Sequence, residues 1–162
     1  MLIEEVQERD LPQIVAIVND VIATSTAVFS ETPVTLEVQR RWLSERRAQG
    51  FPVLIAREQQ AVVAFASYGP FRPWPGYSTT VEHTVHVAAA WRRRGLGRAL
   101  LERLIEQARA SGLHVMVGGI DADNAPSLAL HERLGFAEVG RMREIARKFD
   151  RWVDLVLLAL WL

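Results

Sequence analysis

The chain has 162 residues, no cysteine, and 19 basic against 19 acidic residues. The length suits one domain, so we expect a single domain over residues 1–162. The balanced charge excludes the overall positive field that holds nucleic acid or an anionic membrane, and the lack of cysteine excludes disulfides, thiolate metal sites and a cysteine nucleophile. With no signal-peptide pattern and no apolar run long enough to span a bilayer, we expect a soluble, cytoplasmic protein.

The first half of the chain predicts two helices followed by a hairpin. Apolar residues at helical spacing predict a first helix over 11–23. A turn-rich stretch leads to a second helix over 36–49, which Gly50 ends. The apolar runs at 51–58 and 61–69, separated by two glutamines, predict the two strands of a hairpin.

The second half begins with the stretch FRPWPGYST, which Pro73, Pro75 and Gly76 keep irregular. The remaining predicted elements are a strand over 81–87, a turn of arginine and glycine, a helix from 96 to Gly112, a buried strand over 113–120, a helix over 127–134, and strands near 136–142 and 152–161. This order predicts an α/β (α+β) fold with a mixed central sheet of six or seven strands and about four helices.

Three arginines and two glycines precede the third helix, in the stretch WRRRGLGRALL. The first N–H groups of a helix have no partner within the helix and carry partial positive charge, and glycine lets a phosphate approach the backbone. Neighbouring arginines add charge-assisted hydrogen bonds. The pattern indicates a pyrophosphate ligand, with a solvated basic turn as the alternative.

Two other phosphate-binding motifs fit this turn less well. A Walker loop has a lysine and a hydroxyl residue where Arg98 follows Gly97. A dinucleotide-binding unit would use Gly95, Gly97 and, on the ribose, Asp121 at the end of the next strand. However, Leu100 occupies the third glycine position, and too few elements follow for a dinucleotide fold.

Four motifs occur in order along the chain: TVEHTVHV, GLGRALLERLIEQA, NAPSLALHERLGF and RKFDRWVDL. Together with the R/Q-x-x-G-x-G/A signature at residues 92–97, they resemble the GNAT superfamily of N-acetyltransferases over nearly the whole chain. More narrowly, they resemble its phosphinothricin and methionine sulfoximine acetyltransferase branch. The resemblance implies the GNAT fold, acetyl-CoA as co-substrate and a homodimer. It assigns the cofactor pyrophosphate to Arg92, Arg93, Arg94, Gly95, Leu96, Gly97 and Arg98.

Acetyl transfer to an amine needs a base for the ammonium proton, a hydrogen-bond donor for the developing oxyanion, and departure of the thiolate. We predict Glu82 as the base, because it lies on the strand before the cofactor turn and the family carries a matching glutamate; the alternative is a solvated strand carboxylate. The resemblance puts His131 near the cofactor sulfur, where it could protonate the thiolate. The alternative for His131 is an inert, hydrogen-bonded histidine between helix and sheet.

The resemblance also implies contacts further along the cofactor. It assigns the backbone N–H of Val87 to the thioester oxygen and Asn124 to the pantetheine amide, although Asn124 also suits a helix N-cap. Further predicted cofactor contacts are Val85, His86 and Ser127. We predict no metal, because His83 and His86 face opposite sides of a strand and no zincin pattern is completed.

The acceptor site is predicted from the loop FRPWPGY and the strand that follows it. Arg72 suits a substrate carboxylate, or a phosphinate or sulfoximine head group, because its planar fork matches such oxygens. The remaining predicted substrate contacts are Phe29, Trp74, Tyr77, Val81, Glu82 and His83. The aromatic residues have ordinary loop packing as their alternative. Ser78 stands where this branch often has a charged residue, which leaves the acceptor's identity open.

These observations predict an acetyl-CoA-dependent N-acetyltransferase that acts on the α-amino group of a small glutamate- or methionine-like amino acid. Phosphinothricin, methionine sulfoximine and methionine sulfone are the expected acceptors, with detoxification and herbicide or antibiotic resistance as the role. One alternative keeps the fold but acetylates a protein N-terminus, a lysine or a polyamine. Another is a non-catalytic acyl-CoA-binding sensor, which would not need both Glu82 and His131.

Overall fold

The computed structural model describes all residues 1–162, which form one mixed sheet and four α-helices. The strands are β1 (Leu2–Glu5), β2 (Val53–Glu58), β3 (Ala61–Pro70), β4 (Thr80–Val87), β5 (Val115–Asp121), β6 (Ala137–Lys148) and β7 (Arg151–Trp161). The helices are α1 (Leu11–Thr24), α2 (Leu36–Ala48), α3 (Leu96–Ala110) and α4 (Ala125–Arg133). The predicted α/β class is confirmed.

The seven strands lie in the order β1-β2-β3-β4-β5-β7-β6. All neighbouring pairs are antiparallel except β4 and β5, which are parallel. That parallel pair is short, because it joins only Thr80–Glu82 to Val115–Val117. Both strands continue beyond this contact without pairing to each other, so a gap opens in the middle of the sheet directly after Glu82.

The sheet is covered on both faces. Along β3, Ala64, Ala66 and Tyr68 belong to an 18-residue core with α3, whereas Phe65 belongs to a 9-residue core with α1 and α2. Successive strand residues point to opposite faces, so α3 covers one face, and α1 and α2 cover the other. Each leucine fully buried in these cores contributes about 1.5–3 kcal/mol to folding.

Helix ends follow the local sequence. Thr35 caps α2 because its hydroxyl accepts a hydrogen bond from the Val38 N–H at 3.2 Å. Gly50 and Gly112 follow α2 and α3 with φ of +72° each, a left-handed conformation that costs glycine little. The predicted strands and helices in these regions begin and end within two residues of their observed bounds.

Two features differ from the sequence-based expectation. β1 was not predicted, because its four residues show little periodicity and are held by pairing with β2. β6 continues to Lys148, well past the expected end near 142, because the polar stretch REIARK pairs with β7 across a register shift. The loop after β3 is irregular as predicted, apart from a short 3-10 turn at Pro75–Tyr77.

None of the helices has the length and apolar character that crossing a membrane requires.

Candidate active site

A cavity of about 950 Å³ opens at the gap between β4 and β5. Its walls come from both strands, from the end of α1 and the segment after it, from α2, and from the starts of α3 and α4. The sheet gap therefore brings together elements from distant parts of the chain. Of the predicted site residues, the cavity wall includes Glu82, His83, Val85, His86, Val87, Arg92, Arg93, Gly95, Leu96, Gly97, Arg98, Asn124, Ser127 and His131.

One end of the cavity is the turn before α3. Gly95 is the N-cap residue of α3 with φ of +81°, and no side chain caps the helix. The first N–H groups of α3 are therefore free to bind an anion, and Gly95 adopts a conformation that other residues avoid. Arg93 and Arg98 line the same end of the cavity. This arrangement fits the diphosphate of a nucleotide-derived cofactor.

Two arginines of the turn have partners inside the protein. The Arg92 Nε donates to the Val87 carbonyl at 3.2 Å, which ties the turn to the end of β4. The Arg94 guanidinium stacks on the Trp91 ring, 4.6 Å from its centroid, and does not line the cavity. A direct phosphate contact through Arg94 would therefore need this stacking to break.

The start of α4 forms another wall of the cavity. The Asn124 Oδ1 accepts from the Ser127 N–H at 3.2 Å and caps the helix, which leaves the side-chain NH₂ group of Asn124 free to donate. Asp121 is buried, and its carboxylate is bonded to the Thr26 hydroxyl and to the Asp123 N–H. Asp121 also lines the cavity, but its carboxylate is already bonded within the protein, which argues against the ribose-binding role that the dinucleotide alternative requires.

Glu82 lies on the face of β4 that α1 and α2 cover. Burial raises the pKa of its carboxyl group, and the charge of nearby Arg72 opposes this rise only in part. A side chain at position 119 would crowd it, because a Cβ on Gly119 would lie 3.3 Å from the Glu82 Oε1. Glu82 is therefore a half-buried carboxylate of raised proton affinity, placed at the mouth of the sheet gap.

His83 and His131 meet on the opposite face of β4. Their Nε2 atoms are 3.0 Å apart, their rings stack with centroids 4.9 Å apart, and Phe136 packs edge-on against both. The His131 Nδ1 lies 2.7 Å from the Ser127 carbonyl oxygen, which only accepts. The His131 proton therefore sits on Nδ1, and its Nε2 accepts a hydrogen bond from the Nε2–H of His83.

Both histidines of this pair are neutral. Burial lowers the pKa of His83 to about 3, and the neighbouring His131 contributes to this decrease. Burial also lowers the pKa of His131, although its bond to Ser127 opposes this. Gly118 makes room for the pair, since a Cβ there would lie 2.7 Å from the His83 Nε2.

This pairing bears on two predicted roles. The neutral His131 presents no N–H to the cavity, because Nδ1 is used by Ser127 and Nε2 faces His83. Protonation of a leaving thiolate by His131 stays a prediction, and it would require His131 to be charged first. The His83 ring is committed to His131, so a substrate contact by this side chain also stays a prediction.

The other predicted residues of β4 differ in exposure. Val85 and Val87 are partly buried and line the cavity. Burial and the charge of Arg92 lower the pKa of His86 to about 4, and its ring packs 5.4 Å from that of Phe65. Val81 is completely buried in the core beneath α3. The Val81 side chain does not line the cavity, so a substrate contact by Val81 stays a prediction.

The acceptor loop lies outside the cavity wall of this single chain. Arg72 donates to the carbonyl of Phe71 at 2.9 Å and stacks on the Phe71 ring at 4.2 Å. Phe29, Trp74 and Tyr77 are 37%, 68% and 42% exposed, and none of them lines the cavity. Arg72 acts on the site only through its positive charge, which partly offsets the rise in the pKa of Glu82. The predicted aromatic walls are thus not assembled within one chain.

Two residues at the site were missed in the sequence. Lys148 is 1% exposed, and its Nζ donates to the carbonyls of Ser25 and Val28 at 2.6 and 2.7 Å, which holds the segment after α1 beside the cavity. Arg46 of α2 also lines the cavity. The motif RKFDRWVDL contained Lys148 but gave no reason for its burial, and Arg46 looked like one of several surface arginines.

Comparisons with known proteins agree with this geometry. Residues 14–136 match the acetyltransferase (GNAT) family. An L-methionine sulfoximine/L-methionine sulfone acetyltransferase of Pseudomonas paraeruginosa is 48% identical over 152 residues, which cover 93% of this chain and 88% of the relative.

Two solved structures are similar over the full fold. A ribosomal-protein-alanine N-acetyltransferase from Brucella melitensis has a TM-score of 0.98 and 45% identity, with 100% of both chains covered. A GNAT superfamily phosphinothricin acetyltransferase from Sinorhizobium meliloti, in complex with acetyl-CoA, has a TM-score of 0.97 and 28% identity, with 99% of this chain and 88% of the other covered.

Proposed function

The chain belongs to the acetyltransferase (GNAT) family and is an acyltransferase that uses acetyl-CoA, and we propose that its acceptor is the α-amino group of a small amino acid. Methionine sulfoximine and methionine sulfone are the proposed acceptors, with phosphinothricin as a third. The observation that carries the proposal is Glu82, a half-buried carboxylate of raised pKa at the mouth of the sheet gap. The similarity to a methionine sulfoximine acetyltransferase supports the same acceptor class.

The residues at the turn fit the cofactor. The uncapped start of α3, with Gly95, Gly97, Arg93 and Arg98, would hold its diphosphate, and the free amide of Asn124 would bond the pantetheine arm. When bound, acetyl-CoA supplies an acyl carbon and a thiolate leaving group, and a thiol with an ordinary pKa near 8.5 leaves without a strong acid. The backbone N–H of Val87 is the proposed donor to the acyl oxygen.

Glu82 would do the proton chemistry. An α-ammonium group cannot attack a carbonyl carbon until it loses a proton, and Glu82 would accept that proton directly or through one water. Burial raises the pKa of its carboxyl group. The difference between this pKa and that of the ammonium group becomes smaller, so Glu82 is a stronger base than an exposed carboxylate. The two histidines on the other face of β4 remain neutral while this happens.

We propose that a second copy of the chain completes the acceptor site. The outer strands β6 and β7, with the loop that joins them, expose several large apolar side chains: Val139, Met142, Ile145, Phe149 and Trp152. Trp161 near the end of β7 is also 56% exposed, and the predicted acceptor residues Phe29, Trp74 and Tyr77 are uncovered. Burial of these surfaces in a homodimer would stabilise it and close the cavity. Sedimentation of the wild type and of Ile145→Glu should give a dimer and a monomer, respectively.

Detoxification and herbicide or antibiotic resistance are the proposed roles. A glutamate analogue with a free α-amino group loses its resemblance to the amino acid once that group becomes an amide. We place this activity in the cytoplasm, because acetyl-CoA is supplied there. Growth of cells that carry the chain or Glu82→Gln, on methionine sulfoximine, measures this role directly.

One other acceptor has support. The structure from Brucella melitensis with 45% identity is a ribosomal-protein-alanine N-acetyltransferase, so a protein N-terminal amine is the second candidate. A thiol-release assay with acetyl-CoA separates the candidates when the panel contains methionine sulfoximine, methionine sulfone, phosphinothricin, glutamate, an alanine-initiated peptide and spermidine. We expect turnover with the first three. Turnover of the peptide alone would contradict the amino-acid proposal, and no turnover with retained acetyl-CoA binding would favour the sensor alternative.

A further inference from the structure

The guanidinium of Arg46 lies directly over Gly69 of β3. A Cβ on Gly69 would clash with the Arg46 Cζ and would lie 2.5 Å from its Nη1 and Nη2. The guanidinium therefore occupies the space that a side chain at position 69 would fill, so a larger residue there would displace it. α2 thus delivers a positive group onto the surface of the sheet.

This position puts the Arg46 guanidinium on the same face of the sheet as Glu82. Gly69 and Glu82 are directly opposite each other on the antiparallel strands β3 and β4. Opposite residues of an antiparallel pair point to the same face, with about 4.5–5.5 Å between their Cβ positions. Arg46 and Glu82 therefore lie on the same face of the sheet, and both line the cavity together with Gly69 and Pro70.

Arg46 forms no salt bridge in the chain, although the charge of its neighbour Glu45 acts on it. Its Nε is buried without a hydrogen-bond partner, and its guanidinium lies 5.5 Å from the centroid of the Trp42 ring. Lys148, the other buried cation near the site, has two carbonyl partners. Arg46 is partly buried. Partial desolvation of a guanidinium whose Nε has no partner carries a cost, and this cost falls when an anion binds. The open cavity leaves room for that anion beside Glu82.

We propose that Arg46 binds the α-carboxylate of the acceptor and thereby selects α-amino acids over simple amines. The inference rests on the proposed function and names one subsite of it. The amine and carboxylate of an α-amino acid are attached to the same carbon, so a carboxylate held by Arg46 presents the amine to the neighbouring Glu82. The planar fork of a guanidinium suits bidentate binding of a carboxylate.

Arg72 then has a different task. It is exposed, it stacks on Phe71, and it lies on the loop outside the cavity wall. With the α-carboxylate assigned to Arg46, Arg72 is left for the sulfoximine, sulfone or phosphinate head of the acceptor. Arg46 would then bind the α-carboxylate of the acceptor, and Arg72 would bind its side chain.

The test compares methionine sulfoximine with the same molecule lacking the carboxyl group, 3-(methylsulfonimidoyl)propylamine. For the wild type, Arg46→Gln, Arg46→Lys and the exposed control Arg41→Gln, kcat and KM are measured for both acceptors. We expect Arg46→Gln to raise the KM for methionine sulfoximine roughly 10- to 100-fold, the loss of a charge-assisted bond. The preference for the amino acid over the amine should collapse in Arg46→Gln and persist in Arg41→Gln, with an intermediate value in Arg46→Lys.

Stability and cofactor binding serve as independent readouts. The melting temperature of each variant, with and without acetyl-CoA, shows whether Arg46→Gln has kept its fold and its cofactor site; Arg46→Lys keeps the test valid where it has not. An unchanged acceptor preference in both Arg46 variants would overturn the Arg46 subsite while the proposed function stands. A wild type that acetylates the amine as well as the amino acid would overturn it too. A wild type that acetylates no amino acid at all would contradict the proposed function itself.

Discussion

The two faces of β4 at the sheet gap hold opposite chemical environments on one strand. On one face, which it shares with Arg46, Glu82 has a raised pKa, and the charge of Arg72 opposes this rise in part. On the other, one residue further along, His83 pairs with His131 in a buried, neutral couple. Burial disfavours the charged form of either kind of group, so it raises the pKa of the carboxyl group and lowers those of the histidines.

Desolvation is therefore the largest cause of the difference between the pKa shift of Glu82 and those of the histidines. Glu82 becomes a better proton acceptor because it is half-buried and open to the cavity. His83 becomes a weaker proton acceptor because it is buried and its Nε2 pairs with that of His131. Glu82 thus provides the acid–base chemistry on one face of β4, and His83 packs against His131 of α4 on the other.

Removing the reactive group should have the greatest consequence. Glu82→Gln keeps the shape of the side chain but not its basicity, so we expect kcat/KM for methionine sulfoximine to fall about 100- to 10,000-fold. Thiol-release kinetics measure this. The control Glu106→Gln removes an exposed carboxylate of α3 that pairs only with Arg103 and should leave the rate unchanged. Equal rates for the two variants would contradict the proposal that Glu82 is the base.

Crowding the histidine pair should affect stability. Gly118→Ala introduces a Cβ only 2.7 Å from the His83 Nε2, so the pair must shift within a packed core. We expect the free energy of unfolding to fall by about 1–3 kcal/mol, measured by urea titration. Gly140→Ala is the matched control, because nothing lies within 4 Å of the added Cβ. If both variants match the wild type, the pair is not tightly held.

Lowering the pH should destabilise the folded chain, because His83 stays neutral in it. The unfolded chain takes up protons on His83 below its ordinary pKa near 6.5, whereas the folded chain does not until about pH 3. The contribution of neutral His83 to the free energy of unfolding is therefore fully present above pH 6.5. It falls as the pH drops from there toward 3, with a slope of up to about 1.4 kcal/mol per pH unit. Melting curves between about pH 7 and 5 should show a shallower slope for His83→Asn. An unaltered slope would mean that His83 has the same pKa in the folded and the unfolded chain.

A weaker effect is expected at the cofactor turn. Arg93 lines the cavity with no ion pair to the protein, so Arg93→Gln should raise the KM for acetyl-CoA about tenfold and leave kcat nearly unchanged. Arg103→Gln, an exposed substitution on α3, is the control. The increase should shrink at high salt because exposed charges are screened. A change in kcat instead would assign Arg93 to the chemistry and not to binding.

The sequence was sufficient for features that depend on local pattern. The spacing of Leu96, Leu100 and Leu104 predicted the buried face of α3, and strand alternation predicted that Glu82 and His83 face opposite ways. The glycine turn before α3 was recognised because its conformation and its charge are both local. In these cases the neighbours along the chain determine the environment.

The remaining features depend on the register of distant strands. Arg46 shares a face with Glu82 only because Gly69 is opposite Glu82 on the neighbouring strand, and His83 meets His131 only because Gly118 leaves room on β5. Neither relation is visible in the periodicity of a single segment. β1 was missed for the same reason, since pairing with β2 is what stabilises so short a strand.

The pH dependence of the rate lost in Glu82→Gln decides whether Glu82 is the base. If Glu82 removes the ammonium proton, the deficit relative to the wild type should be large near pH 7 and shrink as the pH rises toward the pKa of the acceptor amine, because a free amine needs no base. Single-turnover acetyl transfer to methionine sulfoximine from about pH 6.5 to 9.5 measures this. A deficit that stays constant over that range would contradict the assignment and leave Glu82 with a positioning role only.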